Sequence, residues 1–303
     1  MTRLRHPSGQ GGPMKRLIKN RQDGTAMLFI IPSLILVTLF IFYPMAQSLI
    51  TSFQTGVGNN MRFTGIDNYT RLLSDKTFHK ALGNTILYLL IQVPIMIVLA
   101  LVISSMLNDK SLKLKGFFRT AIFLPCISSL VAYSIIFKSL FASDGFINAI
   151  LLNLNVIDAP ISWISHPVLA KVLIIIAITW RWTGYNMVFY LAGLQSIDGS
   201  IYEAADIDGV NGFTKFRYIT VPLLKPIILF TTINSTIGTL QLFDETVNIT
   251  DGGPANATLT ISQYIYNVLF KYNPDFGYAC AMSFVVVVLI VALSFIQKKV
   301  GED

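Results

Sequence analysis

The chain has 303 residues, of which 53% are hydrophobic and 13% are charged, and its mean hydropathy is +0.61. Soluble domains carry about 25% charged residues, so the composition excludes an ordinary soluble domain and indicates a membrane protein. The formal charge of +7 would suit nucleic-acid binding only if the basic residues formed one patch, and they are spread along the chain.

The N-terminal residues 1–24 are rich in glycine, proline and basic residues, and we expect them to form a disordered cytoplasmic tail. Met14 precedes a basic run and is an alternative translation start to Met1. The apolar run that follows is too long for the core of a signal peptide, and no A-x-A-like cleavage site comes after it. We therefore expect residues 25–300 to form one retained transmembrane domain.

Six apolar runs are long enough to cross a bilayer, for which a helix needs roughly 20 apolar residues. They cover residues 25–53, 84–107, 117–141, 168–194, 223–244 and 276–297. Some contain proline, which membrane helices tolerate because neighbouring helices satisfy the freed backbone groups. The sequence thus predicts an all-α integral membrane protein with about six transmembrane helices.

The lysines and arginines between these runs predict the orientation, since cytoplasmic loops carry more of them than outer loops. With the N-terminus inside, fifteen basic residues fall on the cytoplasmic side and seven on the outer side. We therefore expect both termini and the loop 198–222 to be cytoplasmic and the loop 250–258 to lie outside. This distribution also explains the net charge without nucleic acid.

The fourth run carries Arg181 within the apolar stretch, at a depth of roughly 20 Å. A charge at such a depth usually faces the bundle interior or a cavity, and pairing with a backbone carbonyl or with a partner subunit is the equal alternative. Asp244 and Glu245 are expected too close to the outer end of the fifth run for pairing, if that helix is straight. Aromatic and polar residues surround Arg181, and they suit sugar recognition or helix packing: Trp180, Trp182, Gly184, Tyr185 and Asn186.

The loop between the fourth and fifth runs contains the polar segment SIYEAADIDG, residues 200–209. Ser200 and Glu203 have the spacing of a capping box, and Asp208 followed by Gly209 offers a helix stop. A helix of about two turns would place Ile201 and an alanine on one face with Asp208. Physical reasoning leaves two alternatives open, docking on a cytoplasmic partner and lying on lipid headgroups.

The fifth run is the most polar, with one helical stripe formed by Thr231, Asn234, Ser235, Gly238 and Gln241. Small and hydroxyl residues can mediate close helix packing in membranes, whereas the two amides favour a water-lined cavity. Both interpretations stay open on the sequence alone.

The segment EAADIDGVNGFTKFRYITVPLLKP, residues 203–226, resembles the EAA loop of permease subunits in binding-protein-dependent ABC importers. The matching positions are Glu203, Ala204, Ala205, Asp208, Gly209, Phe216 and Pro222, whereas Val210 replaces a commoner alanine. The segments FTGIDNYTRLL (63–73), TDGGP (250–254) and FGYACAMS (276–283) are similar to the carbohydrate-type branch. The resemblance implies a coupling helix that docks on an ATPase through Glu203, Ala204, Ala205, Asp208 and Gly209.

The chain has no G-x-x-x-x-G-K-[ST] phosphate loop, so ATP and Mg²⁺ would be bound by a separate ATPase subunit and this chain needs no cofactor. No catalytic set or metal-ligand spacing is visible, so we expect neither an enzyme nor a metal site. Cys126 and Cys280 lie in apolar runs and are expected to be buried thiols, with a disulfide or metal pair as the alternative.

The resemblance implies a permease subunit that moves a carbohydrate, such as an oligosaccharide, through the cytoplasmic (inner) membrane of a prokaryote. It implies a second, non-identical permease chain, two ATPase subunits and an extracytoplasmic substrate-binding protein as partners. The rival interpretations are a stand-alone secondary transporter or channel for a small polar solute, and a membrane enzyme. The candidate substrate-pathway residues are Gly184, Tyr185, Asn186, Asn234, Ser235, Gly238 and Gln241.

Overall fold

The computed structural model describes residues 27–57, 60–109 and 111–302, with the side chain of residue 302 excepted. The tail expected over residues 1–24 lies outside the described residues. The described chain opens with α1 (Met27–Ser52), followed by a short antiparallel hairpin of β1 (Gln54–Thr55) and β2 (Arg62–Phe63).

The helices that follow the hairpin occupy most of the described chain. They are α2 (Asp67–Ser74), α3 (Lys76–Asn108), α4 (Lys115–Ile127), α5 (Leu130–Leu140), α6 (Phe146–Asn153), α7 (Pro167–Ser196), α8 (Gly199–Ile207), α9 (Gly212–Leu223), α10 (Lys225–Leu240), α11 (Ile261–Tyr266) and α12 (Phe276–Glu302). π-Helical turns lie within α1 and α9, after α10 and after α11, at Thr38–Phe42, Phe216–Thr220, Thr246–Thr250 and Asn267–Lys271.

Four of these helices, α1, α3, α7 and α12, are long and apolar enough to cross a membrane, and two bent helix pairs bring the total to as many as six. The pair α4–α5 is bent by 101° and the pair α9–α10 by 70°. The prediction of an all-α membrane protein with about six spans is therefore confirmed. The third run does not form one continuous helix, because it divides into α4 and α5.

The third run breaks because its middle does not favour helix continuation. Pro125, near the end of α4, has no amide hydrogen to donate. Ser128 and Ser129 then take extended backbone conformations, with ψ angles of 148° and 133°. The fifth run also differs from expectation, since α10 ends at Leu240 rather than near residue 244.

The second predicted span is longer than expected, because α3 begins at Lys76 and not at residue 84. Helices α3 and α7 pack along each other at the centre of the molecule, α4 packs on α7, and α10 packs on α3 and α12. Their fully buried side chains include Tyr88, Leu173, Met187 and Tyr190. By contrast, the apolar stretch of α1 is 0% buried within the chain, which suits contact with lipid or with another subunit.

Asp75 joins three elements at the first turn of α3. Its Oδ1 accepts hydrogen bonds from the amides of Thr77 (2.8 Å) and Phe78 (3.1 Å), which makes it the helix N-cap. Its Oδ2 accepts from the hydroxyls of Tyr264 (2.6 Å) and Tyr278 (2.5 Å), on α11 and α12. Burial acts to raise the pKa of this carboxyl, but the four hydrogen bonds outweigh it and hold the pKa below its usual value.

We expect Asp75→Ala to lower the stability of the folded chain by about 1–3 kcal/mol at pH 7, because a cap is lost and two tyrosine hydroxyls lose their acceptor. Since the folded-state pKa is depressed, the stabilisation is present above the unfolded pKa of about 3.9 and is lost as pH falls through the folded value. Thermal unfolding in detergent should therefore separate wild type and variant at pH 7 and bring them together at acidic pH.

The matched control for this experiment is Asp67→Ala, which removes an exposed carboxyl from the first turn of α2. It should leave the unfolding temperature nearly unchanged at either pH. Equal unfolding temperatures for wild type and Asp75→Ala at pH 7 would contradict the assigned role.

Candidate functional site

A cavity of about 480 Å³ lies between α3, α4, α7 and α10. Its wall is formed by Gln92, Met96, Cys126, Ile178, Trp182, Tyr185, Asn234, Ser235, Ile237, Gly238, Thr239 and Leu242. Most of these side chains are apolar, and a few amide and hydroxyl groups are placed among them. This is the composition of pockets that orient a small molecule by a limited number of hydrogen bonds.

Four of the candidate pathway residues line this cavity: Tyr185 on α7 and Asn234, Ser235 and Gly238 on α10. Asn234 and Gly238 are exposed. A Cβ placed on Gly238 would meet no heavy atom within 4 Å. The middle of the polar stripe on the fifth run therefore faces the cavity and not another helix of the described chain.

The remaining candidates, Gly184, Asn186 and Gln241, do not line this cavity. Gly184 faces α4 so closely that a Cβ would lie 2.1 Å from the carbonyl oxygen of Ile122, which makes it a helix-packing position. Asn186 is buried, and its side-chain amide donates to the carbonyl of Trp182 (3.0 Å) and to the sulfur of Met96 (3.3 Å). Gln241 is exposed beyond the end of α10, because the helix stops before the stripe does.

The N-terminal part of the stripe, at Thr231, contributes to the packing between helices. The hydroxyl of Thr231 lies 2.6 Å from the hydroxyl of Tyr190 in the contact between α10 and α7. Both interpretations of the stripe thus hold, each for a different stretch of the helix.

Gln92, on α3, is one of the polar wall residues that sequence reasoning missed, together with Thr239 on α10. It is 2% exposed, and its Oε1 accepts a hydrogen bond from the hydroxyl of Thr239 at 3.1 Å. The sequence signal for this residue was a glutamine within the largely apolar second run. The amide joins α3 to α10 and adds polarity to the cavity wall.

Arg181 lies directly behind this wall, between the wall residues Ile178 and Trp182 in the sequence, and it is 7% exposed. Its Nη2 donates a long hydrogen bond of 3.5 Å to the carbonyl of Cys126, at the end of α4. Its guanidinium carbon lies 5.3 Å from the ring centroid of Tyr133 and 5.6 Å from that of Trp182.

Glu245 is buried, with 3% of its surface exposed. Among the described residues it forms no ion pair with Arg181 within 4 Å, in agreement with the expectation that the two groups do not pair. Its burial follows from the early end of α10: the chain turns after Leu240, and the following residues pack against α5 and α7. The two cysteines, Cys126 and Cys280, are free thiols, as expected, but they are only partly buried within the chain.

The segment between α7 and α10 contains α8, as predicted, but with a different cap. The carboxylate of Asp198 accepts from the amide of Ser200 at 3.0 Å and caps the helix, so the predicted capping box of Ser200 and Glu203 does not form. That hydrogen bond also holds the pKa of the Asp198 carboxyl below its usual value. Gly209 has a φ of +71°, a conformation that glycine adopts readily, and it follows the helix end as predicted.

The exposed face of α8 carries Ile201, Glu203, Ala204, Ile207 and Asp208, whereas Ala205 is 5% exposed and turned into the chain itself. Beyond the helix, Phe213 is 76% exposed, and Lys215 pairs with Asp206 to hold α9 against α8. The Tyr202 hydroxyl lies 3.1 Å from that of Thr220. The short helix, the ion pair and the hydroxyl contact give the loop between α7 and α10 a folded structure. Ile207, which is 87% exposed, lies at the surface of this folded loop.

Comparison with known proteins gives a consistent set of relatives. The model of a family described as the inner membrane component of binding-protein-dependent transport systems matches residues 73–302. The lactose transport system permease protein LacF of Rhizobium radiobacter is 55% identical over 282 residues, which cover 92% of this chain and 95% of that protein. The trehalose/maltose transport system permease protein MalF of Thermococcus litoralis is 33% identical, over 94% of this chain and 96% of that protein.

Solved structures share the fold. A crystal structure of a bacterial ABC transporter involved in the import of the acidic polysaccharide alginate matches with a TM-score of 0.82 and 20% identity, over 95% of this chain and 98% of that one. The alginate transporter in complex with an alginate pentasaccharide-bound periplasmic protein also matches with a TM-score of 0.82, over 93% and 96% of the two chains. At 20% sequence identity, this similarity establishes a shared fold alone.

Proposed function

The chain belongs to the family of inner membrane components of binding-protein-dependent transport systems, and we propose that it is the permease subunit of an ATP-driven importer that passes a carbohydrate into the cytoplasm. The observation that carries this proposal is the central cavity, whose wall combines amides, hydroxyls and aromatic rings. The names of the relatives that transport lactose, arabinooligosaccharides and trehalose or maltose support the same substrate class.

The cavity wall offers the groups that a sugar needs. The amides of Gln92 and Asn234 can donate and accept, as can the hydroxyl of Ser235. Trp182 and Tyr185 lie edge to face, with ring centroids 5.7 Å apart, and their surfaces suit the apolar faces of a sugar ring. We assign the substrate pathway to this wall.

The folded loop around α8 is the proposed contact for the ATPase. It connects the end of α7 to α9 and α10, and both α7 and α10 line the cavity. A push on α8 by a closing ATPase dimer would therefore move two walls of the cavity directly. Glu203, Ala204, Asp208 and Gly209 remain the proposed coupling residues, whereas the buried Ala205 supports the loop from within.

The proposed assembly contains this chain, a second and non-identical permease, two ATPase subunits and an extracytoplasmic substrate-binding protein. ATP and Mg²⁺ belong to the ATPase subunits, because the phosphate loop is absent from this sequence. We place the complex in the cytoplasmic membrane of a prokaryote with both termini of this chain inside, on the distribution of lysine and arginine. Neither the family nor its sugar-transport relatives supports a stand-alone secondary transporter or channel.

Uptake of radiolabelled lactose into proteoliposomes tests this function. We expect uptake to require ATP, the ATPase subunits, the second permease and the binding protein, and omission of any one should reduce it to background. Uptake by this chain alone, driven by an ion gradient, would contradict the importer. Uptake of maltose or an arabinooligosaccharide instead of lactose would keep the class of substrate and change its identity.

A further inference from the structure

A groove of about 560 Å³ lies between α3, α4 and α7, and its lining shares no residue with the central cavity. The lining is aliphatic or aromatic except for Thr179 and Thr183 of α7. The hydroxyl of Thr183 donates to the carbonyl of Thr179 at 2.6 Å, within the helix. A wall of this composition does not offer a sugar the several hydrogen-bond partners that it needs, so the groove is not a second sugar site.

The groove opens sideways, at the depth of the membrane. Leu99 on α3 and Ile176 and Trp180 on α7 line it and are exposed. Both helices are long and apolar enough to cross a membrane. The open side therefore meets the apolar part of the bilayer, where lipid acyl chains or the helices of another subunit are the available neighbours.

The dimensions of the groove suit an acyl chain better than a helix. Ile95, Leu99 and Ile103 follow one another at four-residue spacing along α3, which is about 12 Å of helix and close to the hydrocarbon thickness of one leaflet, about 15 Å. One turn of a helix with its side chains fills about 420 Å³, so the groove has room for little more than a single turn. A thin, flexible chain can fill it along its whole length.

Basic side chains lie toward one end of the groove. Lys115 and Arg119 share one face of α4 with Ile122 by helical spacing, and Ile122 lines the groove. Leu112, just before α4, packs against the same buried cluster as Ile103, which lines the groove on α3. The start of α4 is thus placed beside the Ile103 end of the groove.

Positive charge is in excess at this end. Among the described residues, Lys113, Lys115 and Arg119 form no ion pair within 4 Å. The acidic residue of the same loop, Asp109, accepts hydrogen bonds from the amide and the hydroxyl of Ser111, at 2.8 and 2.9 Å. The first turn of α4 has no side-chain cap, and free amides at a helix N-terminus favour phosphate. An apolar groove that ends at cations matches the two parts of an anionic phospholipid.

We propose that this groove is a binding site for an anionic phospholipid. One acyl chain lies between α3, α4 and α7, and Lys113, Lys115 and Arg119 bind the phosphate of the headgroup. The site is separate from the sugar pathway, and it places a lipid against α4 and α7, which both contribute to the cavity wall.

Photocrosslinking in the assembled complex identifies what fills the groove. The photoreactive residue p-benzoylphenylalanine replaces Leu99, and the complex with its partner subunits is reconstituted into vesicles of phosphatidylethanolamine with a minor share of phosphatidylglycerol. Mass spectrometry then identifies the adducts. We expect lipid adducts whose ratio of phosphatidylglycerol to phosphatidylethanolamine is at least about fivefold higher than in the vesicle, because each nearby basic residue favours an anionic headgroup.

The matched control places the same photoreactive residue at Val98. Val98 is the neighbour of Leu99 on α3 and is also exposed, but it lines neither the groove nor the central cavity. Its lipid adducts should follow the composition of the vesicle, since a site on the open helix surface has no preference for a headgroup.

Charge variants test the headgroup contact with the probe kept at Leu99. Lys115→Gln with Arg119→Gln should bring the lipid ratio within about twofold of the vesicle, because the attraction to the anionic headgroup is lost. Lys225→Gln with Lys299→Gln removes the same charge from exposed positions on α10 and α12 and should keep the enrichment. Co-purification of the partner subunits checks that each variant is assembled.

Adducts between the Leu99 probe and another subunit would show that the groove is a subunit interface, and they would overturn the proposal. Lipid adducts at Leu99 in the ratio of the vesicle would overturn it too, as would a Leu99 probe that forms no adduct while the Val98 probe reacts. Enrichment that persists in the Lys115 and Arg119 variant, or that is lost equally in its control, would contradict the headgroup contact. Because the readout is the adduct, the result does not depend on which solute the complex transports.

Discussion

Gly238→Leu should reduce sugar uptake by about 10–100-fold while the complex remains assembled. Gly238 faces the cavity of about 480 Å³, and a Cβ at this position meets no protein atom within 4 Å. A leucine therefore fits the folded chain, and it removes space and blocks the approach to Asn234 and Ser235, one turn away on the same helix. Displacing a bound sugar from its position should cost as much as other overpacking, about 1–3 kcal/mol. This range includes the energies of about 1.4–2.7 kcal/mol that correspond to a 10–100-fold loss in rate.

Gly83→Leu is the matched control for this substitution. Gly83 is also exposed on a helix, α3, with nothing within 4 Å of a built Cβ, and it does not line the cavity. It should transport as wild type. Co-purification of the partner subunits and initial rates of sugar uptake are measured for both variants. Wild-type uptake by Gly238→Leu, or an equal loss of uptake in both variants, would contradict the assignment of the cavity to the transport pathway.

Ile207→Asp should release the ATPase subunits from the purified complex, or leave their hydrolysis without response to substrate. Ile207 is 87% exposed on α8, so a charge there leaves the packing of this chain unchanged. In a docked interface, the same charge would be buried without a partner. Loss of a central interface contact typically costs 2 kcal/mol or more, which weakens association by about 30-fold.

Ile66→Asp is the control for Ile207→Asp, because Ile66 is 64% exposed and precedes α2, far along the chain from the α8 loop. It should retain the ATPase and its stimulation by substrate. A helix that lies on lipid headgroups, the alternative for α8, predicts that Ile207→Asp also retains both. If Ile207→Asp retains the ATPase and its stimulation by substrate at wild-type levels, the coupling role proposed for α8 is contradicted.

The structure was needed to choose which residue of the EAA loop to substitute in a test of docking, as Ala205 illustrates. The sequence motif treats Ala204 and Ala205 alike, and helical spacing allows either of them on the docking face. In the structure Ala204 is exposed and Ala205 is 5% exposed. Enlarging Ala205 would therefore disturb the loop itself, and the result would not report on docking.

The sequence by itself determined the class of the protein. The long apolar runs, the loop charges and the EAA loop are each contained in a continuous stretch of sequence. Membrane insertion depends on the hydrophobicity and flanking charge of such stretches, and a docking loop is one continuous segment. These features predicted an all-α membrane protein of about six spans and a sugar permease, and the family and its relatives agree. The helix stop at Gly209 was predictable for the same reason, since its +71° φ depends on one residue.

The tertiary structure alone decided what each polar residue in the spans does. Gly184 and Gly238 were equal candidates, but one packs on Ile122 and the other faces open space. Arg181 and Cys126 are 55 positions apart in the sequence, and only the packing of α4 on α7 brings the guanidinium to the Cys126 carbonyl. Such neighbours depend on where helices break and how they cross, which is determined by the packing of the whole bundle and by no local pattern of residues.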